Sequence, residues 1–342
     1  MRVLVIGGTG FVGIHIVDAL ISEGVDVVVT RRPRSATVLL RRRNCSLVNA
    51  ALDDVSSLRE AMQGCDAVVV SGAPYPRYSL DAETQIGHAV QCVENACEAA
   101  AQTGISRFVF TSTIATLGAT DSKLAANEGT RLAAAPLDSV YRQMKWELER
   151  VVETHRERGL NAVTLLPGAC LGPLDLRLGT TGLFVAVVRG ALPWYVDGWV
   201  NAVDVRDVAT AHARAVLHPS PGDRYCLGGT NIGFHALIAE VQARYGGGVP
   251  RLRLEAPEAK ARATNDELLA RPRNARVVFP RELVDVVAAG QPVDSQKALD
   301  ELGVSFRPLA TTLDDTYDWL RRSGVVPQHR IEQEGVFHAS DC

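Results

Sequence analysis

The sequence lacks the patterns of a membrane protein, a secreted protein or a nucleic-acid-binding protein. No apolar stretch reaches the roughly 20 residues that a membrane-spanning helix needs. The chain starts with the strand-like segment MRVLVIGG and lacks the basic, apolar and cleavage regions of a signal peptide. The formal net charge is only -3, with acidic and basic residues interspersed, so no extended cationic face for a phosphate backbone is evident. We therefore expect a soluble cytoplasmic protein that binds neither membranes nor nucleic acids.

Metal-binding patterns are also missing from the sequence. The seven cysteines are scattered and form no CxxC pair, and the eight histidines show neither HxxxH nor HExxH spacing. A catalytic metal is therefore not expected. We interpret the cysteines as reduced thiols that mostly fill the core.

Apolar runs alternate with amphipathic stretches through the first half of the chain. The runs rich in valine and isoleucine are residues 2–7, 25–30, 65–72, 106–113 and 161–168. The stretches with helical periodicity and length include residues 11–23, 81–103 and 141–158. Because the runs are apolar on both faces, they suit a parallel sheet covered by helices on either side. The pattern predicts an α/β fold with a doubly wound parallel sheet of the Rossmann type.

Changes in this alternation divide the chain into two predicted domains. The dinucleotide-binding domain is predicted from residues 1–168, with residues 200–230 returning to it because the alternation resumes there. Residues 169–199 and 231–322 are predicted to form a smaller substrate-binding domain, since substrate-specific structure is often carried by irregular insertions. The polar residues 323–342 are predicted to be a loosely held tail.

A glycine-rich turn directly follows the first apolar run. The segment GGTGFVG places Gly7, Gly10 and Gly13 at GxxGxxG spacing, directly before a helical pattern. In this context the three glycines permit a tight turn, close approach to a pyrophosphate and packing of helix on strand, while the helix N-terminus supplies amide groups. The predicted dinucleotide contacts in this turn are Gly7, Thr9, Gly10, Phe11, Val12 and Gly13.

The end of the second apolar run indicates which nicotinamide dinucleotide is bound. An Asp or Glu there would accept hydrogen bonds from the adenosine ribose, but this chain has Arg31 and Arg32 after Thr30. Two guanidinium groups suit a 2′-phosphate. The sequence therefore predicts NADP (NADPH) as the cofactor. The alternative, that either arginine is an ordinary solvated charge, stays open.

Three residues with catalytic potential follow in the chain. Tyr141 and Lys145 form a YxxxK pair in a helical segment, so both side chains lie on one helix face. A neighbouring ammonium group lowers the pKa of a tyrosine, ordinarily near 10, by stabilising the phenolate. The fourth apolar run ends in Thr111, Ser112 and Thr113, where open α/β sheets bind ligands and a hydroxyl group can orient a carbonyl. We therefore predict that Tyr141, Lys145 and a hydroxyl group of this TST segment form a catalytic site.

Taken together, these motifs resemble the extended short-chain dehydrogenase/reductase family, within the NAD(P)-dependent epimerase/dehydratase superfamily. GGTGFVG, TST before YxxxK, and LLPGACLGP after it carry this resemblance. FTSTIATLG, LGPLDLRLGTTG, YVDGWVNAVDVRDVA and RYCLGG are similar to its dihydroflavonol-reductase-like branch, in particular to the subgroup labelled hopanoid-associated sugar epimerases. The resemblance implies that Tyr141 is the catalytic acid/base, that Lys145 binds the nicotinamide ribose, and that Thr113 matches the family's catalytic serine.

The resemblance also implies further cofactor contacts and a quaternary structure. The implied contacts are Leu52, Ser71, Gly72, Ala73, Thr111, Lys145, Pro167, Gly168 and Ala169. Family members are often dimers through the helices that hold Cys97 and Tyr141, so a homodimer is one expectation. Besides Thr113, the sequence departs from the family at Ala51, where an Asp is usual, and at Ala89 and Cys92, where the family has Asn and Gly.

Three functions are compatible with these residues. The leading hypothesis is NADPH-dependent reduction of a ketone or aldehyde of a small molecule, of the secondary-metabolite kind. The alternative is a nucleotide-sugar epimerase or dehydratase with tightly bound NAD(P). A third is a dinucleotide-binding sensor with little catalysis, which Ala51, Ala89 and Cys92 favour and the intact catalytic set opposes. The substrate is expected between segments 76–88, 171–198 and 251–290, and the candidate substrate contacts are Tyr78, Thr113, Tyr141, Leu171 and Trp194.

Overall fold

The structure is a computed structural model that describes residues 1–33, 35–76, 78–120, 124–218 and 223–326. Most of the predicted tail, residues 327–342, lies outside the described residues. Across the described ranges, no helix combines the length and the apolar character needed to cross a membrane.

The described chain alternates strands and helices from its first residues onward. The strands are β1 (Arg2–Ile6), β2 (Asp26–Arg31), β3 (Cys45–Asn49), β4 (Ala67–Val70), β5 (Arg107–Thr111), β6 (Ala162–Pro167), β7 (Ala169–Leu171), β8 (Tyr195–Val196), β9 (Trp199–Asp204), β10 (Arg224–Leu227), β11 (Thr230–Gly233) and β12 (Arg253–Leu254). The helices are α1 (Phe11–Ser22), α2 (Val55–Met62), α3 (Ala82–Thr103), α4 (Val140–Glu157), α5 (Thr181–Val188), α6 (Val205–Leu217), α7 (Phe234–Tyr245), α8 (Ala256–Ala270), α9 (Arg281–Ala288), α10 (Gln296–Leu302) and α11 (Leu309–Arg322).

Seven parallel strands form the main sheet, in the order β10-β6-β5-β4-β1-β2-β3. Successive side chains of a strand alternate between its two faces. Val3 and Val5 accordingly join the core beneath α1 and α6, whereas Leu4 and Ile6 join the core beneath α2, α3 and α4. The predicted doubly wound parallel sheet is therefore confirmed.

The edge strand β3 is the sheet member that the apolar pattern does not reveal. The five predicted runs correspond to β1, β2, β4, β5 and β6, but β3 (CSLVN) is half-buried to exposed throughout. A strand at the edge of the sheet with little covering it needs no continuous apolar run. Its register is fixed instead by parallel pairing with β2, from Val27 opposite Cys45 to Arg31 opposite Asn49.

A second apolar core lies in the part of the chain that follows β6. It includes Phe184, Trp194, Phe234 and Tyr317 and gathers side chains from α5, α7, α8, α9 and α11. The segment 251–290 contains α8 and α9, and each of these helices contributes fully buried side chains to this core. Two smaller sheets, β11-β9-β7 and β12-β8, lie in the same region.

The turn after β1 is packed so closely that it leaves no room for side chains. A Cβ atom on Gly7 would lie 2.5 Å from the amide nitrogen of Gly72, and one on Gly13 would lie 2.1 Å from the carbonyl oxygen of Gly7. Gly7 also has a φ of +90°, in the region that favours glycine. β1, the start of α1 and the end of β4 can therefore meet only as bare backbone.

This packing predicts different outcomes for two glycine-to-alanine substitutions in helices. We expect Gly13→Ala to lower the free energy of unfolding by about 1–3 kcal/mol, because its methyl group has to displace backbone. Gly87→Ala in α3 is the matched control, since its Cβ would meet no atom within 4 Å. It should stabilise the protein by up to about 1 kcal/mol through helix propensity alone. Urea unfolding of both variants measures the difference, and equal shifts would contradict the close packing.

Candidate active site

The carboxyl ends of four neighbouring strands bring the predicted site residues to one edge of the sheet. Gly7 follows β1, Ser71 follows β4, Thr111 ends β5 and Pro167 ends β6. The Ser71 backbone amide donates to the carbonyl oxygen of Ile6 at 3.0 Å, which fixes the two central strand ends together. Because the chain leaves β1 toward β2 on one side and returns at β4 on the other, this is the switch point where open α/β sheets bind ligands.

The start of α1 fits the pyrophosphate of a dinucleotide. Gly10 is the N-cap, its amide donates to the Gly7 carbonyl oxygen at 2.9 Å, and no side chain caps the helix. The first turn contains no acidic residue. Its free amide groups and the positive end of the helix dipole therefore face outward with no competing anion. The predicted contacts Thr9, Phe11 and Val12 lie in this turn and the first helical turn, all half-buried.

Arg31 and Arg32 lie at the end of β2, beside the edge strand β3. Both side chains are exposed, and Arg31 Nε donates to Asn49 Oδ1 at 3.0 Å. Asn49 therefore holds the Arg31 guanidinium at the strand ends. Neither arginine makes an ion pair among the described residues, so both keep donors available for an anion.

The Leu52 carbonyl oxygen accepts a hydrogen bond from Asn95 Nδ2 at 2.9 Å, and Asn95 itself is a buried residue of α3. This bond ties the loop after β3 to the helix that carries Ala89 and Cys92, both buried. Asp54 caps the N-terminus of α2 by accepting from the amides of Ser56 and Ser57. Gly72, which follows β4, lies against Gly7 of the glycine-rich turn, and Ala73 packs against the core beneath α3.

The structure brings Thr113, Tyr141 and Lys145 together. Tyr141 lies in the first turn of α4, whose N-cap Ser139 accepts from the Arg142 amide. The Thr113 hydroxyl hydrogen-bonds the Tyr141 phenol group, and its oxygen also accepts from the Ala115 amide at 3.2 Å. Lys145 lies one turn further along α4 and donates from Nζ to the Thr111 carbonyl oxygen at 3.3 Å. All three groups thus lie at the end of β5.

Burial dominates the ionisation of the two catalytic candidates on α4. It raises the pKa of Tyr141 to about 12, while the hydrogen bond from Thr113 acts in the opposite direction. This is the reverse of the lowering expected from a neighbouring ammonium group alone. Burial also lowers the pKa of Lys145 to about 8, against the opposing effect of Glu149. At neutral pH the phenol therefore keeps its proton. Lys145 also stays mostly protonated, but its pKa lies only slightly above neutral pH.

Two residues that the sequence analysis did not select, the buried His212 and the half-buried Glu149, support this site. Thr111 Oγ1 lies 2.8 Å from His212 Nε2, and His212 Nδ1 lies 2.7 Å from the Val208 carbonyl oxygen. Because a carbonyl can only accept, Nδ1 carries the hydrogen and Nε2 accepts from the threonine hydroxyl. Burial lowers the pKa of His212 to about 4, which keeps it neutral. Glu149 accepts from Ser112 and Thr116 and pairs with Arg224 at 2.8 Å.

Pro167, Gly168 and Ala169, the predicted nicotinamide contacts, lie where β6 passes into β7. The Gly168 amide donates to the Leu227 carbonyl oxygen at 3.0 Å, and a Cβ on Gly168 would lie 2.2 Å from the Asn201 carbonyl oxygen. The passage from β6 into β7 is therefore fixed between β10 and β9. Glycine at this position is required by the close approach of backbone.

The predicted substrate contacts differ in their accessibility. Leu171 and Trp194 are 5% and 1% exposed and belong to the second apolar core. Tyr78 is half-buried and donates from its hydroxyl to the Ala275 carbonyl oxygen at 2.7 Å. Their part in substrate binding stays a prediction.

A different tyrosine, Tyr75, lies next to Tyr141. Their ring centroids are 5.2 Å apart, with the planes inclined by 50°. The Tyr75 hydroxyl donates to Oε1 of Glu282 in α9, although the two residues are far apart in sequence. Burial, followed by the charge of Asp285, raises the pKa of Glu282 to about 8.

Within the described ranges, no group of three or more His, Cys, Asp or Glu side chains is placed to hold a metal ion.

Comparison with known families agrees with the geometry of the site. The sequence profile of the NAD dependent epimerase/dehydratase family matches residues 3–228. The chain belongs to this family. It is an NAD(P)-dependent oxidoreductase of the extended short-chain dehydrogenase/reductase type, which acts on small molecules.

Relatives with different named activities cover nearly the whole chain. A Synechocystis protein named "Putative dihydroflavonol 4-reductase" is 29% identical over 327 residues, which are 94% of this chain and 95% of that protein. A 4-hydroxy-2-methyl-3-oxo-4-farnesyl-3,4-dihydroquinoline-1-oxide ketoreductase of Stigmatella aurantiaca is 26% identical, covering 96% of this chain and 98% of its own. The crystal structure of PA4631, a nucleoside-diphosphate-sugar epimerase from Pseudomonas aeruginosa, is 26% identical with a TM-score of 0.77, covering 95% and 99% of the two chains.

The lowered pKa of Lys145 predicts a pH-dependent cost to stability. Below pH 8 both folded and unfolded chains hold this proton, so burying the charge costs up to about 3 kcal/mol at about 1.4 kcal/mol per pKa unit. Between pH 8 and the ordinary value of 10.5 the unfolded chain binds more protons, so this cost falls as the pH rises. Lys145→Met removes the cost and should therefore gain most over the wild type near pH 7.

Urea unfolding of the wild type and Lys145→Met at pH 7.5 and pH 10 measures this effect. The stability difference in favour of the variant should shrink by about 2 kcal/mol over that interval. Tyr141 does not interfere, since its raised pKa destabilises the fold only above its ordinary value of 10. A difference that is independent of pH would contradict the burial of the ammonium group.

Proposed function

We propose that this chain reduces a ketone or aldehyde group of a small molecule, of the secondary-metabolite kind, with NADPH. The observation that carries the proposal is the convergence of Thr113, Tyr141 and Lys145 at the carboxyl end of β5. Two hydroxyl groups at one point suit the polarisation of a carbonyl oxygen. Desolvation raises the pKa of the half-buried phenol to about 12, so at neutral pH it holds a proton that it can donate.

Each of the three residues has a distinct part in this reduction. The reduced nicotinamide, when bound, supplies the hydride that adds to the carbonyl carbon. Tyr141 donates its proton to the oxygen of that carbonyl, on which negative charge develops. Thr113 donates a hydrogen bond to the same group and orients it. Lys145, held by the Thr111 carbonyl oxygen, supplies positive charge one helical turn from the phenolate that the proton transfer leaves.

The residues at the nucleotide end support a preference for NADP. Arg31 and Arg32 are exposed at the end of β2, where NAD-binding sites of this fold carry an acidic side chain. The bond from Arg31 to Asn49 leaves the two terminal nitrogens of the guanidinium group available for a 2′-phosphate. We infer that Arg31, Arg32 and the glycine-rich turn together bind NADPH.

A second candidate function is epimerisation or dehydration of a nucleotide sugar with tightly bound NAD(P). The name of the Pseudomonas aeruginosa relative favours it. In such a reaction the same site oxidises a hydroxyl group and returns the hydride, so the protein would be purified with dinucleotide bound and be active without added cofactor. Arg31 and Arg32 favour the reductase, because a reductase draws on the pool of reduced NADP.

Three broader features of the proposal rest on the sequence. We propose that residues 1–168 and 200–230 bind the dinucleotide, and that residues 169–199 and 231–322 form the substrate-binding domain. The second apolar core, built from α5, α7, α8, α9 and α11, supports this division. A cytoplasmic location and a homodimer through α3 and α4 stay predictions.

The cofactor preference can be tested by removing each arginine. Arg31→Ala and Arg32→Ala should each raise KM for NADPH about tenfold, since a lost charge-assisted hydrogen bond costs roughly 1.5–3 kcal/mol. KM for NADH should stay unchanged. Arg59→Ala, in the exposed arginine that bonds Gln102 on the surface, is the matched control and should alter neither value. Equal KM values for the two cofactors in the wild type, or tighter NADH, would overturn the assignment.

The acid role can be tested with Tyr141→Phe, which keeps the ring and removes the proton. We expect kcat on a panel of aromatic and aliphatic ketones and aldehydes to fall by about 10²- to 10⁴-fold, with little change in the Kd of NADPH. Thr113→Ser keeps the hydroxyl and should retain most activity, whereas Thr113→Val should lose it. Wild-type turnover by Tyr141→Phe would rule out the mechanism.

A further inference from the structure

A phenol and a carboxyl group from distant segments meet beside Tyr141. Tyr75 lies on the loop after β4, and Glu282 lies in the first turn of α9. The Tyr75 ring contacts the Tyr141 ring, and the Tyr75 hydroxyl donates to the Glu282 carboxyl group. Together they connect the dinucleotide side of the site with the segment that is proposed to bind substrate. The reaction mechanism above uses neither residue.

Tyr75 is held in place at its two ends while most of its surface stays open. The side chain is 60% exposed, although its ring contacts Tyr141 and its hydroxyl is bonded. Exposed tyrosines without such contacts have free rotamers, so the tether to Glu282 fixes which face of Tyr141 the ring covers. The exposed face of Tyr75 is then a surface that any molecule approaching Tyr141 from this side has to meet.

Hydrogen bonds to the buried carboxylate of Glu267 hold the two supporting segments together. Glu267 of α8, only 1% exposed, accepts from the Ser79 amide at 2.6 Å and from the Arg281 amide at 2.9 Å. One carboxylate thus binds the loop that carries Tyr75 and the start of the helix that carries Glu282. Arg281 also donates to the carbonyl oxygen of Asp138, directly before the cap of α4.

A second set of contacts links α8 and α9 to the segment before Tyr141. Lys260 of α8 lies 3.3 Å from Asp138 and 3.2 Å from Asp285, and Arg281 donates to Asp285 at 2.8 Å. The position of Glu282 relative to Tyr141 is therefore fixed from both the α8 side and the α4 side. A tether built on such supports is pre-organised rather than formed when substrate arrives.

We propose that Tyr75 is a specificity-determining residue of the active site, and that Glu282 is the positioning residue that holds Tyr75 across the substrate side of Tyr141. This inference rests on the proposed carbonyl reduction and adds to it a limit on the size of the carbonyl compound that reaches Tyr141. The Tyr75 ring excludes bulky groups on its side of the phenol, and Glu282 acts through the Tyr75 hydroxyl. Small ketones reach Tyr141 beside the ring, whereas wide ketones collide with the ring.

The test compares selectivity across ketones of increasing width. Wild type, Tyr75→Ala, Tyr75→Phe, Glu282→Leu and Glu282→Gln are assayed with NADPH on butanone, cyclohexanone and 2-decalone. Tyr75→Ala should raise the ratio of kcat/KM for 2-decalone over butanone about tenfold or more, since pocket contacts of this size discriminate by about 10- to 200-fold. Tyr75→Phe and Glu282→Leu, which keep the ring but lose the tether, should raise it about threefold or more. Glu282→Gln still accepts from the hydroxyl and should stay within about twofold of the wild type.

A double-mutant cycle separates positioning from a general structural effect. Because Glu282 acts through Tyr75, Glu282→Leu should change the selectivity ratio in the wild-type background and leave it unchanged in Tyr75→Ala. Equal loss on all three ketones in Tyr75→Ala would overturn the specificity role. An unchanged ratio in Glu282→Leu, or the same change in both backgrounds, would overturn the positioning role.

Hydroxyl-radical footprinting tests the same contact without turnover. Labelling of Tyr141, measured by mass spectrometry, should rise at least about twofold in Tyr75→Ala and in Glu282→Leu and stay at the wild-type level in Glu282→Gln. If the wild type reduces no ketone or aldehyde, the proposed function fails, while the footprint still decides whether Tyr75 covers Tyr141 and Glu282 holds it there. Unchanged labelling of Tyr141 in Tyr75→Ala would overturn the inference.

Discussion

The site depends on a contact between two pieces of bare backbone, Gly7 after β1 and Gly72 after β4. Neither position has room for a Cβ atom. Gly13 also has no room for one, because its Cβ would collide with the backbone of Gly7. This close approach aligns the carboxyl ends of the two central strands and directs the start of α1 toward the space between them. The amide groups of that helix start, the arginines at the end of β2 and the hydroxyl groups at the end of β5 then share one edge of the sheet. Without the contact, these groups would not converge on the edge where the dinucleotide is proposed to bind.

Much of the first half of the fold could be predicted because its strands are buried on both faces. Val3, Leu4 and Val5 are fully buried, so their run is apolar without interruption and visible in the sequence. The edge strand β3 follows the opposite rule. Its residues are largely exposed, its pattern resembles a loop, and its pairing with β2 becomes evident only in three dimensions.

The residues of the candidate site also fall into two groups, those that local sequence patterns identify and those that depend on contacts between distant segments. Spacing along one helix suffices to place Tyr141 and Lys145 on a common face, and the end of an apolar run locates Thr113. His212, Glu149 and Tyr75 carry no such signal, because their partners lie far along the chain and the spacing between them is arbitrary. The direction of the Tyr141 pKa shift could not be predicted from the sequence either. Burial raises this pKa, and the extent of burial is known only from the packed structure.

The two hydrogen bonds that Glu267 accepts couple the positions of two segments beside the candidate site. One carboxylate accepts hydrogen bonds from the amides of both Ser79 and Arg281, so the loop after β4 and the helix α9 are attached to the same residue of α8. A substitution in α8 that moves this carboxylate would displace the loop after β4 and the start of α9 together. Substitutions around Glu267 would therefore shift Tyr75 and Glu282 as one unit, whereas a substitution of Tyr75 itself alters only the ring beside Tyr141.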